Sequence, residues 1–151
     1  MIKDVKVKKL KVISNERGRL QEIIRCDDEL FRNFGQVYVT TCYPQAVKGW
    51  HYHKNQTDNM CVIKGMAKIV LYDRRENSET KGEINEFFLG EYNPLVLHIP
   101  PEIAHGIKAM GTKEILVINI PDHPYNYDEP DDYRIPPYSG DIPYDWGRKD
   151  G

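Results

Sequence analysis

Short β-rich runs, broken at roughly ten-residue intervals by Gly, Pro and Asn, most narrow what this 151-residue chain can become. Residues 36–42, 47–53, 60–63, 66–72, 84–89, 95–99, 106–109 and 114–120 each read as an extended segment. The Lys64-Gly65 step between two of them predicts a hairpin. No long stretch carries a 3.6-residue apolar period, so a helical core is excluded. Many short strands with turn residues between them predict an all-β sandwich or barrel.

The flanks read differently. Lys3, Lys6, Lys8, Lys9 and Lys11 roughly alternate with Ile2, Val5, Val7, Leu10 and Val12, which predicts a basic, half-buried edge strand. Asn15-Glu16-Arg17-Gly18 is a turn. Residues 20–24 predict a short strand, and residues 27–31 a single helical turn opened by acidic residues. From Pro121 onward Pro, Tyr and acid dominate. Residues 122–150 hold eight acids against three bases. Acid-rich composition favours solvation, but Tyr125, Tyr127, Tyr133, Tyr138, Tyr144 and Trp146 are too many rings for a spacer. The expectation is one domain: a barrel over 1–120 and an irregular tail, 121–151, packed on it or on a partner subunit.

Composition removes several function classes. Lys+Arg 21 against Asp+Glu 23 gives a net charge of −2, without the basic excess a nucleic-acid binder needs. No run approaches the ~18 apolar residues of a membrane span. Met1-Ile2-Lys3-Asp4 is not followed by the apolar stretch of a secretory leader. Cys26, Cys42 and Cys61 form no CxxC pair, so three reduced thiols in a cytoplasmic protein are expected.

The chemistry concentrates in Gly49-Trp50-His51-Tyr52-His53. Residues i and i+2 of a strand share a face, so His51 and His53 project together, away from Trp50 and Tyr52. His105 follows the turn Pro100-Pro101 and opens the next strand. If its strand neighbours the His51/His53 strand, three imidazoles meet in one cavity, an arrangement too costly for packing alone. His98 and His123 read as structural.

His51-x-His53-x4-Asp58-x6-Gly65 resembles the first motif of the cupin superfamily, small jelly-roll β-barrels, and Pro101 to His105 loosely resembles the second. Over roughly residues 14–146 the chain is similar to the dTDP-4-dehydrorhamnose 3,5-epimerase family. Glu16-Arg17-Gly18, Val47 to Tyr52, Ile99 to Gly106 and the tail segments around Tyr133-Arg134-Ile135 and Ile142 to Trp146 carry that resemblance. Gly49-Trp50-His51-Tyr52-His53-Lys54 also resembles the histidine strand of the nucleotide-linked sugar 3,4-ketoisomerases, as Val37-Tyr38 resembles the tyrosine strand before it.

The resemblance implies a cupin-type β-barrel, a homodimer, no metal, and a nucleotide-sugar substrate with a 4-keto group. His51 aligns with the family's base and Lys48 with its phosphate-binding Arg. The family's lysine near the enolate falls at about Asp58 or Asn59, and its tyrosine acid at about Ile118. The aspartate that orients the base falls near residues 139–141. The expected site is therefore His51 as base, with His53 and His105 as donors to the enolate. Tyr38 returns the proton. Lys48, Lys54, Gln56, Asn59 and Arg134 hold the substrate. The expected reaction is 3- or 3,5-epimerisation, the alternative being 3,4-keto migration. A second alternative is a metal-dependent cupin in which His51, His53, Asp58 and His105 hold one divalent transition metal. A third is a sugar-binding cupin without catalysis.

Overall fold

The computed structural model describes residues 1–149, so the last two residues of the expected tail, 150 and 151, lie outside it. In chain order the strands are β1 (Lys6–Lys9), β2 (Val12–Asn15), β3 (Gly18–Gln21), β4 (Tyr38–Cys42), β5 (Val47–Tyr52) and β6 (Asp58–Lys64). Then come β7 (Met66–Asp73), β8 (Ile84–Gly90), β9 (Leu95–Ile99), β10 (Ile103–Met110), β11 (Ile115–Asn119) and β12 (Tyr133–Arg134). Among the described residues there is no helix.

Two five-stranded antiparallel sheets face each other, ordered β1-β9-β6-β11-β4 and β12-β5-β10-β7-β8, and β2-β3 forms a separate hairpin. This is the expected jelly roll, flattened into a sandwich whose sheets stay separate ladders. An isolated Pro44–Ala109 bridge touches where one edge meets the other sheet. Alternation along each strand builds the core. Ala67, Ile69 and Leu71 of β7 and Ile103, Ile107 and Ala109 of β10 meet Met60 and Val62 of β6, Leu97 and Ile99 of β9, and Ile115 and Val117 of β11.

Several local expectations are corrected. The Lys64-Gly65 step is a corner rather than a hairpin: β6 pairs with β9 and β11, β7 with β8 and β10. Gly65 turns there at φ 74, and a Cβ on it would stand 2.9 Å from the Ile115 side chain. Residues 27–31 form a bonded turn rather than helix, because the Asp28 carboxylate accepts the Arg25 N–H and pairs with Lys8 of β1. The 20–24 strand is shifted to Gly18–Gln21, where it pairs with β2. Beyond it Ile23, Ile24 and Leu30 leave the ladder to cover Leu10, Cys61 and Val96 on the outside of the first sheet. β1 is an edge strand, its Lys6 and Lys8 paired with Glu29 and Asp28.

The loop after β7 is locked by the buried carboxylate of Asp73, which accepts from Arg75, Ser78 and Thr80. Burial opposes its charge, but these donors outweigh it and hold the group far below the usual carboxylate range.

The tail covers the outer face of the second sheet. Ile142 and Trp146 are buried with Trp50, Val70 and Ala104, and Tyr144 packs beside them. Tyr127 and Tyr138 stay exposed. Beneath Trp146 the chain needs two glycines. A Cβ on Gly106 would lie 2.7 Å from the indole, and one on Gly49 would lie 2.8 Å from the Gly106 Cα. Strand register shifts at this crossing, between His105 and Ile107. The indole thus presses on the backbone directly behind the histidine strands. Replacing Trp146 by Ala removes one of the two largest side chains of that cluster and is expected to cost about 3–5 kcal/mol. Urea denaturation with an unchanged slope and a lowered midpoint checks it.

Candidate active site

One end of the sandwich is polar. β5 ends in His51 and Tyr52, β6 begins with Asp58, β11 ends with Asn119, and β10 carries His105 as its third residue, one turn deeper than a strand start. His51 pairs directly with His105 across β5 and β10. His51 and His105, with His53 just past β5, Tyr38 of β4 and most of the tail between residues 123 and 134, line a cavity of about 1270 Å³. That exceeds a typical small-ligand pocket of roughly 300–1,000 Å³.

His51, His53, His105, Tyr38, Lys48, Gln56 and Arg134 all line the cavity. Lys54 and Asn59 do not. The Lys54 ammonium sits 4.6 Å over the Tyr133 ring. Asn59 follows Asp58 by one residue, so pleating sends it to the other face. There it meets His98 Nδ1 at 2.8 Å and donates to the Ile120 carbonyl. Gln56 is spent on Asp58 Oδ1 at 2.8 Å. His123, read as structural, also lines the cavity, its Nδ1 2.7 Å from Asp122.

Asp58 is the hub. It is fully buried, and its Oδ1 accepts from Gln56 and from Asn119 Nδ2, each at 2.8 Å. Its Oδ2 meets only imidazoles: His53 Nε2 at 3.3 Å and His105 Nε2 at 3.5 Å. Burial works against the carboxylate, but the imidazoles, His53 first, hold its pKa below the ordinary value. His53 also points Nδ1 at the Asp131 carbonyl. Both of its nitrogens face oxygen acceptors, which only the doubly protonated ring satisfies. Burial resists that charge, yet the Asp58 carboxylate and the Asp131 carbonyl raise His53 to about 9. His105 is the opposite case. Burial dominates over Asp58 and pushes it down to about 4, so it is neutral, with Nδ1 3.2 Å from the Ile103 carbonyl.

His51 turns Nδ1 toward Asp132 Oδ1 at 3.4 Å, and Arg134 donates to the other Asp132 oxygen at 2.9 Å. Burial lowers the His51 pKa although Asp132 pulls it up, so the ring is neutral near pH 7. A proton on Nδ1 leaves the lone pair on Nε2. Tyr38 accepts from Asn119 Nδ2 at 2.8 Å, which leaves its own proton free to be donated. Burial, with Asp58 nearby, raises that phenol to about 12 and keeps it protonated.

The aspartate that stands beside His51 is Asp132, not a residue near 139–141. The expected neighbourhood, Ser139 and Asp141, bonds to itself on the surface. Three contributors were missed: Asp131, Asp132 and Asn119. The signal for the first two was the acidic pair directly before Tyr133-Arg134, which β12 lays against Tyr52 and His51. It was read as part of a solvated charge run.

His53, Asp58 and His105 bring one donor atom each within 4.8 Å of one another, a set with the chemistry of a divalent metal site. His51, expected as a fourth ligand, is outside that group.

Comparison with known proteins identifies the family and the fold. The profile of the polysaccharide biosynthesis C-terminal domain family matches residues 13–133, a span that includes both tail aspartates. The spore coat polysaccharide biosynthesis protein SpsL of Bacillus subtilis is 42% identical over 97% of each chain. The probable low-salt glycan biosynthesis epimerase Agl13 of Haloferax volcanii is 42% identical over 96% of this chain and 94% of its own. A crystal structure of a dTDP sugar isomerase from Desulfovibrio desulfuricans G20 superposes with a TM-score of 0.92 at 32% identity, covering 99% of this chain and 94% of that one. The chain therefore belongs to the polysaccharide biosynthesis C-terminal domain family and has the jelly-roll fold of the dTDP-4-dehydrorhamnose 3,5-epimerase-like cupins.

Proposed function

We propose that this chain epimerises a nucleotide-diphosphate-linked 4-keto-6-deoxy sugar, inverting a carbon next to the ketone with His51 as the base. Its class is that of a sugar-nucleotide isomerase, as the names of its relatives indicate. The observation that carries the mechanism is His51 itself: a neutral imidazole in a large open cavity, oriented by Asp132 and standing beside a charged His53.

His51 Nε2 takes the proton from the carbon beside the carbonyl, and the electron pair moves to the ketone oxygen. The His53 imidazolium, kept charged by Asp58, offers a fixed positive field for that oxygen where the family's lysine is absent. Lys48, at the cavity wall and bonded to Thr40 and Thr41, adds a second positive charge suited to phosphate. The Tyr38 phenol returns a proton to the carbon as the enolate collapses to the ketone; His51 then releases its proton to solvent and Tyr38 takes one up from solvent, which restores both groups. His53 has both nitrogens committed, so it is poorly placed to carry a proton between neighbouring carbons, which supports epimerisation over keto migration. The relatives named for spore-coat polysaccharide and glycan biosynthesis support a substrate bound for a polysaccharide.

The reading is of a metal-free enzyme, a homodimer and a cytoplasmic protein. Exposed apolar side chains on the hairpin and before and along β4, among them Ile13, Leu20, Phe34, Val37 and Val39, supply a surface for a second copy. Static light scattering should give twice 17.6 kDa, and a monomer mass would refute the dimer. Three free cysteines support a reducing compartment. No helix among the described residues is long and apolar enough to cross a membrane.

The metal-dependent reading draws on the His53, Asp58 and His105 cluster. EDTA treatment separates the two. Full activity after chelation is expected; loss of activity restored by one divalent metal supports the alternative.

In heavy water, a 4-keto-6-deoxy nucleotide sugar should gain deuterium at the carbon beside the carbonyl. His51→Asn is expected to lower that exchange by about 10²–10⁴-fold. Tyr38→Phe should lower net epimerisation more than exchange, since it removes the returning acid but not the base. No exchange with any nucleotide sugar refutes the assignment and leaves the binding-protein reading.

The pH profile of kcat/KM should be bell-shaped. As pH falls through the depressed pKa of His51, below 6.5, the base becomes protonated and the rate falls. As pH rises through about 9, His53 loses its charge and the rate falls again. Asp58→Asn should pull the alkaline limb to lower pH.

A further inference from the structure

Asp131 reaches the histidine strand with both its side chain and its backbone. Its carboxylate accepts three successive backbone N–H groups, from Lys54 at 2.7 Å, Asn55 at 2.9 Å and Gln56 at 3.1 Å. Its own carbonyl meets His53 Nδ1. The turn at 54–56 is thus a concave row of donors of the kind that binds anions, filled here by the chain's own tail. The tail is clamped in that position by stacked rings. Tyr133 stacks on Tyr52 with centroids 5.1 Å apart and planes 18° apart. Arg74 covers the outer side of Tyr52 at 3.9 Å, and Lys54 lies over Tyr133 at 4.6 Å.

We propose that Asp131 is a positioning residue for the reaction: by closing the 54–56 turn with its carboxylate and receiving the His53 Nδ1 proton on its carbonyl, it holds the Nδ1–H and the tilt of the His53 ring. The inference rests on the epimerase reading for its catalytic meaning, but its structural content stands without it. The reach of Asp131 extends to Asp58 as well, because the turn it closes ends at Gln56, whose amide donates to Asp58 Oδ1. One tail residue therefore sets the two partners of the buried ion pair from opposite sides. Around the His53 ring the other ionisable groups are Asp58 of β6, His105 of β10 with its ring centroid 5.6 Å away, and His51 two residues before it on the same segment. None of these meets Nδ1, whose partner is the Asp131 backbone carbonyl.

The test compares Asp131→Ala with Asp131→Asn, whose single amide oxygen can still accept the Asn55 and Gln56 N–H groups that Oδ2 holds, though not the Lys54 N–H as well. Two readouts are used: turnover of the dTDP-linked 4-keto-6-deoxy sugar, and the His53 Nδ1–H signal in nitrogen-15 NMR spectra of the protein without substrate. Asp131→Ala is expected to lower kcat on the order of tenfold to a hundredfold with KM changed less than about twofold, as for a small misplacement of a reacting group. The His53 Nδ1–H signal should broaden into exchange with water. Asp131→Asn should restore the signal and most of kcat. If Asp131→Ala does not fold, Asp131→Ser, which keeps a smaller acceptor, takes its place, and an intermediate loss of the signal is expected. A sharp, unmoved His53 signal in the folded Ala or Ser variant overturns the proposal, as does an Asn variant that behaves like Ala. If the parent protein turns over no nucleotide sugar while Asp131→Ala still frees the His53 proton, the positioning role stands and the reaction assignment falls.

Discussion

A single buried carboxylate organises this end of the molecule. Asp58 has no access to water, and two of its contacts are imidazoles. Burying a charge this deeply is tolerable only where opposite charge and hydrogen bonds replace the lost hydration. His53 supplies the charge, Gln56 and Asn119 supply the hydrogen bonds, and His105 stays neutral. The carboxylate makes His53 cationic, burial outweighs its pull on His105 and leaves that ring neutral, and burial together with the Asp58 charge keeps the Tyr38 phenol protonated. Division of labour among chemically identical side chains follows from position around one anion.

The scaffold explains how such a cluster is held. Both outer faces of the sandwich are sealed by irregular chain, the 23–30 segment on one side and the tail on the other. The tail does two separate jobs. Its far end plugs the outer face with Ile142 and Trp146, while its near end delivers Asp131 and Asp132 to the two histidines of one strand. Successive residues of an extended segment project oppositely. In this pair, one residue offers its backbone carbonyl inward and its carboxylate to the turn, and the next offers its carboxylate inward.

The strands were legible because alternation and turn residues are local signals. The shared face of His51 and His53 was legible for the same reason, as was the opposite placement of Trp50 and Tyr52. What could not be read locally was strand partnership. Lys64-Gly65 has the chemistry of a hairpin, yet the strands it joins enter different sheets, a choice made by the non-local pairing of β6 with β9 and β11. Asn59 was misplaced by one residue of pleat: the resemblance puts the family's lysine at about residue 58 or 59 without choosing between them, and only Asp58 faces inward. Asp131 and Asp132 were hidden because charge in a proline-rich segment looks the same in sequence whether it is solvated or aimed at an imidazole. Their pairing with β5 spans roughly eighty residues of chain, for which composition carries no signal.

The cavity has walls of two kinds. His51 and His105 stand on strands bonded on both sides, whereas His123, Tyr125, Tyr127 and Glu129 belong to chain without ladder partners. Changes in the second wall leave the sandwich and its proton-handling groups undisturbed. Substitutions or insertions between residues 123 and 130 would therefore reshape the ligand wall while His51 and His105 keep their places on the sheet.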